Sequence, residues 1–184
     1  NVQANTIAYS SVMGADNTVK NIDHSFIAGA NNLVTNASGV LAMGSNQVVG
    51  SANSKVTNSV LLGDGIQFAT TADASDAVAI GGASKVVSGA VAVGANAQAL
   101  GTNSLAVGRD AIATGSAAYG FAAKAGNGGT AIGDGAVATY LGGATTAGTV
   151  AGSALGQNAK ADISGATALG TNAQVTAVNS VALG

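Results

Sequence analysis

Small and apolar residues recur along the chain in a short phrase that closes with glycine. The phrase runs small residue, variable residue, alanine, larger apolar residue and glycine, as at residues 104–108 and 180–184. Alternation with a period of two is typical of a β-strand. The phrases recur at intervals of about 14 residues. The glycines that close them include Gly81, Gly94, Gly108, Gly120, Gly133, Gly156 and Gly170.

A second pattern follows each of these glycines. Asn, Asp or Gly usually stands two residues later, as at Asn96, Asp110 and Asn172, and small apolar residues then alternate again. These residue types tolerate positive φ and favour turns. One repeat is therefore strand, turn, strand, turn, which makes a flattened coil with two sides. Stacked coils predict an all-β parallel solenoid, a single repetitive domain over residues 1–184, with the closing glycines as structural turn residues.

Three longer intervals interrupt the period and predict loops near 50–58, 64–76 and 139–152. Insertions in a solenoid become loops on one face, which is often the binding face. Phe68, Tyr140 and Leu141 are therefore candidate ligand-contact residues. The alternative is that these segments are surface loops or pack on a neighbouring chain.

The two faces of the first strand differ in side-chain size, and neither carries charge. One face has large apolar residues and the other has alanine. A half-exposed strand is expected to carry polar residues on its wet face. We expect the large side chains to fill the coil and the alanine face to lie in a homo-oligomer interface, although the sequence leaves open the exchange of the two faces. The predicted interface residues are Ala79, Ala92, Ala106, Ala118, Ala131, Ala154 and Ala168.

Composition narrows the function. Hydrophobic residues make up 47% of the chain and charged residues 8%, with no Cys or Pro and a net charge of −2. Disulfides and thiolate sites are excluded, and no basic patch for nucleic acid is present. No apolar run has transmembrane length, so we expect no direct membrane insertion by this segment. Because the sequence starts at Asn1 without a start methionine or signal peptide and stops at the repeat glycine Gly184, we expect an internal fragment of a longer protein.

Few residues are candidates for chemistry. His24 is the only histidine, and a catalytic histidine needs a nucleophile or carboxylate held in place. Its neighbour Asp23 is adjacent on a predicted turn, so we expect His24 to be a solvated turn residue. The aspartates are scattered without a calcium motif, and Asp16 and Asp110 stand at turn positions. No catalytic residue, metal ligand or cofactor is therefore predicted.

The phrase Ser-Val-Ala-Leu-Gly at 180–184, preceded by Gly-Thr-Asn-Ala-Gln-Val at 170–175, resembles the head repeat of YadA-like trimeric autotransporter adhesins. The resemblance covers nearly the whole chain and is sharpest at 77–133 and 152–184. It implies a left-handed parallel β-roll, a homotrimer, and display on the bacterial cell surface through an outer-membrane anchor in regions absent here. It also implies attachment to extracellular matrix proteins, host-cell surface proteins or other microbes.

Four functions compete on the sequence alone. The leading hypothesis is a non-enzymatic adhesin head, and its alternative is a passive structural spacer that displays another domain. A left-handed β-helix acyltransferase would need 18-residue coils and a catalytic histidine, neither of which the sequence offers. An ice-binding solenoid would need regular threonine ladders, whereas threonine is irregular here.

Overall fold

The chain is built from short β-strands joined by tight turns. The computed structural model describes residues 6–69, 72–126, 128–139 and 152–184, and it divides the chain into two compact units, Asn1–Asn96 and Ala97–Gly184. We call them the N-terminal unit and the C-terminal unit. The organisation of residues 1–184 as a single domain stays a prediction. Tyr140 and Leu141 lie outside the described residues, as does most of the predicted loop 139–152.

The strands of the N-terminal unit are β1 (Ile7–Ala8), β2 (Ser11–Ala15), β3 (Thr18–Asp23), β4 (Phe26–Ala30), β5 (Leu33–Ser38), β6 (Leu41–Met43), β7 (Val48–Val49), β8 (Val56–Thr57), β9 (Val60–Leu62), β10 (Gln67–Phe68), β11 (Ala74–Ser75), β12 (Val78–Ile80), β13 (Lys85–Val86) and β14 (Val91–Val93). Those of the C-terminal unit are β15 (Gln98–Ala99), β16 (Leu105–Val107), β17 (Ile112–Thr114), β18 (Ala117–Tyr119), β19 (Lys124–Gly126), β20 (Thr130–Ile132), β21 (Val137–Ala138), β22 (Ser153–Leu155), β23 (Thr167–Leu169) and β24 (Val181–Leu183).

Two parallel sheets form the N-terminal unit. Sheet A has the order β1-β3-β5-β7-β10-β13, with β8 paired to β5 and β11 paired to β8, and sheet B has the order β2-β4-β6-β9-β12-β14. The register follows the spacing of the glycine phrases, since Ser11 pairs with Phe26 and Leu41 pairs with Val60. Successive strands of one sheet are thus one coil apart, and the predicted parallel β-solenoid is confirmed.

The C-terminal unit repeats this arrangement. Sheet A has the order β15-β17-β19-β21, and sheet B has the order β16-β18-β20-β22-β23-β24. Leu105 pairs with Ala117 across the shortest interval, and Thr130 pairs with Ser153 across the longest. Coils of unequal length therefore keep one register in sheet B.

The closing glycines lie where sheet B turns toward sheet A. Gly81, Gly94, Gly108, Gly120, Gly133, Gly156 and Gly170 all have φ between 121° and 135°. A Cβ built on Gly120 would lie 2.6 Å from the carbonyl carbon of Gly133 in the next coil. Glycine is therefore required here both by φ and by the close approach of two backbones. Two residues later the chain is left-handed, as at Asp16 and Asp110.

The core of the N-terminal unit combines large apolar side chains with a buried polar ladder. Ile22, Ile27, Leu61 and Ile66 are among its largest fully buried side chains. Asn17, Asn32 and Gln47 are buried as well, and each stands three residues after a closing glycine in successive coils. Buried amides need hydrogen-bond partners, and here the backbone of the adjoining coils supplies them.

The core of the C-terminal unit is almost entirely alanine. The central residue of each sheet B strand points inward, and sheet A contributes alanines such as Ala99, Ala113 and Ala125 to the same core. Only methyl groups separate the two sheets over most of this unit, so the coil is thin.

This core corrects the predicted oligomer interface. The alanines assigned to that interface each have a relative accessibility of 0% in the single chain and fill the interior of the coil: Ala79, Ala92, Ala106, Ala118, Ala131, Ala154 and Ala168. A side chain enclosed by its own coil cannot contact another chain. The larger flanking residues lie on the outside instead, so the exchanged assignment of the two faces is the one that the structure has.

Candidate functional site: two outer surfaces of the coil

The outer face of sheet B in the C-terminal unit is an exposed apolar ladder. Tyr119, Ile132 and Leu169 are 57%, 43% and 48% exposed. Strand pairing puts them in one register, with a member in every sheet B strand of this unit: Val107, Tyr119, Ile132, Leu155, Leu169 and Leu183. No described residue of these strands is charged.

The N-terminal unit has a matching face. Met43, Leu62, Ile80 and Val93 share one register on β6, β9, β12 and β14, and Met43 and Ile80 are among the exposed large hydrophobic residues. The described strands of sheet B in this unit also carry no charge. An exposed apolar row of this kind is a candidate for contact with another molecule.

Sheet A has a different outer face. Lys20, Gln67 and Lys85 project from it in the N-terminal unit, and Gln98 and Lys124 do so in the C-terminal unit, while their strand neighbours such as Val19 and Val86 are buried. Polar side chains alternating with buried apolar ones are typical of a solvated sheet face. The outer face of sheet A thus mixes polar and charged residues with apolar ones such as Leu33, Val48 and Ile112, whereas the described strands of sheet B carry no charge.

The loops of two long intervals leave sheet A of the N-terminal unit at the same place. Strand β5 runs unbroken, but the next coil pairs with it through two short strands, β7 and β8, with residues 50–55 looped out between them. The following coil repeats the split with β10 and β11. The two loops are joined, because the backbone N–H of Lys55 donates to Asp73 Oδ1 at 2.7 Å and that of Ala74 donates to the Lys55 carbonyl at 2.8 Å.

A polar groove of about 450 Å³ lies beside these loops. Its floor is formed by β3 and β5, where Asn21 and Asn36 each bulge outward with φ of 52°. Asn21 Nδ2 donates to Asn36 Oδ1 at 2.9 Å, and Asn36 Nδ2 donates to the Ser51 carbonyl at 2.6 Å. The amides thus tie the floor to the first loop, whose residues form one wall.

Phe68, the one candidate ligand-contact residue that the structure describes, lies elsewhere. It is half-buried and lines a separate cavity of about 150 Å³ together with Val48 and Val56. Phe68 belongs to strand β10, which lies inside the predicted loop 64–76, as does β11. Sequence reasoning missed the groove, whose floor residues Asn21 and Asn36 carry only a weak signal, a 15-residue repeat of Asn. A ligand-contact role for Phe68, Tyr140 and Leu141 stays a prediction.

His24 lies at a corner of the coil with φ of 46°, and its side chain is 64% exposed. Its Nδ1 lies 2.9 Å from Asp23 Oδ1, and its ring stacks on Tyr9 with the ring centroids 4.9 Å apart. The described residues gather no group of three or more His, Cys, Asp or Glu side chains suited to a metal ion. They also form no helix of the length and hydropathy needed to cross a membrane.

Comparison with protein families gives one match. The YadA head domain repeat (2 copies) matches residues 88–111, 150–173 and 164–184. A comparison with curated proteins found no match. The matched segments contain the glycine phrase and the left-handed Asn or Asp turn described above, including Gly108 with Asp110 and Gly170 with Asn172. These segments are therefore similar to the YadA head domain repeat, and the parallel β-solenoid is consistent with a YadA-like head domain.

Proposed function

We propose that this chain is the adhesive head of a trimeric autotransporter, which acts by binding and not by catalysis. The observation that carries the proposal is the uncharged, exposed ladder on the outer face of sheet B. A lone chain would leave Met43, Ile80, Tyr119, Ile132 and Leu169 in water. Burying them against copies of the same chain removes that cost, and closed cyclic symmetry keeps the contact from growing into a fibre.

The number of chains is drawn from the family, whose heads are implied to be trimers. Three chains around one axis would bury the outer face of each sheet B and leave the outer face of each sheet A in solvent. The polar face is then the surface that meets host components. Display at the bacterial surface, through an outer-membrane anchor elsewhere in the polypeptide, belongs to the same proposal.

The assembly is tested by the solution mass of the purified chain. We expect three times the chain mass of 17.2 kDa. Replacing Tyr119 and Ile132 together by Asp puts two carboxylates on the apolar ladder and should give a single-chain mass, because an unpaired buried charge is strongly unfavourable at an interface. The control Ile112→Asp changes an outer residue of sheet A and should leave the trimer intact. A folded wild-type monomer would overturn the proposal.

Adhesion is tested separately from assembly. The trimer and the Tyr119→Asp/Ile132→Asp variant are each incubated with immobilised matrix proteins and with host cells at equal chain concentration, and the retained protein is measured. Many weak contacts from three chains should bind far more tightly than one chain, so the variant should lose most of its retention. Retention by neither protein, with the trimer confirmed, would favour the alternative in which the chain is a spacer that lifts another domain from the surface.

A further inference from the structure

The two inserted loops and the bulged strands of the N-terminal unit build a site that the repeat itself does not need. Here two consecutive coils split at the same point and are joined through Lys55 and Asp73. The resulting groove of about 450 Å³ has the size of a small-molecule site, for which the usual range is about 300–1,000 Å³. It belongs to a single chain and lies on the sheet A side, away from the apolar ladder of sheet B.

The chemistry of the walls is unusual for a pocket of this size. Ligand pockets are mostly lined by apolar and aromatic groups. Here most lining residues are polar, including Asn21, Asp23, Asn36, Asn53, Lys55 and Asp73, and carbon atoms supply about half of the exposed lining. A carboxamide both donates and accepts hydrogen bonds, a carboxylate accepts them and an ammonium donates them. The groove therefore suits a ligand that presents many donors and acceptors close together.

Several of these groups stay available to a ligand. Asn36 Nδ2 donates hydrogen bonds to the carbonyls of the first loop, and one carboxylate oxygen of Asp73 accepts a hydrogen bond from the Lys55 backbone N–H. Across the described ranges, the Lys55 ammonium makes no ion pair, and the Asn53 side chain makes no hydrogen bond that holds it in the loop. Asn53 and Lys55 line the groove in the segment that starts at Ala52.

Charge and shape exclude other ligand classes. Two carboxylates, on Asp23 and Asp73, face one ammonium, so an anionic polymer or a sulfated sugar would be repelled. A peptide anchored by apolar side chains would have to desolvate polar walls without replacing their hydrogen bonds, which is costly.

We propose that this groove binds a neutral oligosaccharide. The sugar hydroxyls would bond to Asn53, Lys55 and the free carboxylate oxygens. The inference deepens the proposed adhesive function by naming a ligand class, and it rests on that function. In a trimer each chain would carry one groove, so a glycan-coated surface would be held at three points.

The test uses the whole chain and a panel of neutral di- to tetrasaccharides of hexoses and N-acetylhexosamines, with sialylated and sulfated counterparts. Binding is measured by saturation-transfer NMR and by titration calorimetry. We expect a neutral member to bind, Ala52→Trp to abolish the binding by filling the groove, and Asn53→Ala and Lys55→Ala to weaken it by about tenfold each. The controls Gln67→Ala and Lys85→Ala, on the same sheet outside the groove, should bind as the wild type does.

Three outcomes would overturn the inference. They are no neutral sugar bound across the panel, binding unchanged by Ala52→Trp, or a preference for the sialylated and sulfated members. The Tyr119→Asp/Ile132→Asp variant distinguishes failure of the sugar-binding inference from failure of the proposed adhesive function. The groove lies within one chain, so its affinity for a sugar should survive loss of the trimer. Adhesion to matrix proteins without sugar binding would refute only the groove, whereas loss of both would refute the adhesive function as well.

Discussion

The side-chain oxygen of Asn32 accepts the backbone N–H of Gln47, one coil further along, at 3.0 Å. Asn32 is itself bound by the preceding coil, since its own backbone N–H donates to Asn17 Oδ1 at 3.1 Å. The amides thus connect consecutive coils inside the N-terminal unit. The ladder stops at Gln47, whose Oε1 has no hydrogen-bond partner within the described part of the chain, and Ile66 occupies the equivalent position in the next coil.

Removing the middle of this ladder should destabilise the chain. Asn32→Ala leaves the buried N–H of Gln47 and the Gly44 carbonyl without their side-chain partner. Orphaned buried groups cost about 1–3 kcal/mol each, so we expect the free energy of unfolding in urea to fall by at least about 1 kcal/mol. Asn53→Ala, at an exposed loop, serves as the control and should shift it by less than about 0.5 kcal/mol. Equal effects of the two variants would contradict the role given to the ladder.

The closing glycines differ from other glycines with the same φ. Gly120 and Gly115 both have φ of 133°, but a Cβ on Gly115 would meet nothing within 4 Å, whereas one on Gly120 would collide with Gly133. Alanine at either position strains the backbone equally. We expect Gly120→Ala to cost about 1–3 kcal/mol more than Gly115→Ala, because only the former forces two coils apart. Thermal unfolding at one protein concentration measures the difference, and matched melting temperatures would refute the steric argument.

The alanine core should reject larger side chains. Ala99 and Gln98 are neighbours on β15, with Ala99 fully buried and Gln98 on the outer face. Ala99→Leu adds three carbon atoms between two sheets that only methyl groups separate, and we expect a loss of stability of about 1–3 kcal/mol or more. Gln98→Leu adds an apolar group of similar size outside the core and should be tolerated. Urea unfolding compares the two, and a stable Ala99→Leu variant would mean that the coil can widen.

Much of this fold could be predicted from the sequence because a closing glycine marks each coil and an Asn or Asp with positive φ follows it in most coils. The positions of Gly108 and Gly120 set the register of β16 and β18. The direction of the faces could not be predicted, since alternation separates Ala106 from Val107 without saying which points inward. Side-chain volume suggested that the larger residues fill the coil, but the sheets of the C-terminal unit approach closely enough for alanine alone.

The sites were harder to predict than the fold. The buried ladder had a signal, the 15-residue spacing of Asn17, Asn32 and Gln47, which resembles that of ordinary turn residues until burial is known. The groove depends on where the inserted loops leave the coil. Strand pairing decides that two successive loops emerge beside each other, so that Lys55 meets Asp73 across 18 residues of chain.

The methyl-lined interior of the C-terminal unit bears on how such solenoids change in length. An alanine side chain has no rotamers to freeze, so each added winding brings its backbone hydrogen bonds without a penalty from ordered side chains. Alanine also has no large side chain that must fit a particular cavity in the next coil. Whole coils can consequently be duplicated or lost in the gene, and the solenoid can lengthen or shorten without redesign of its interior.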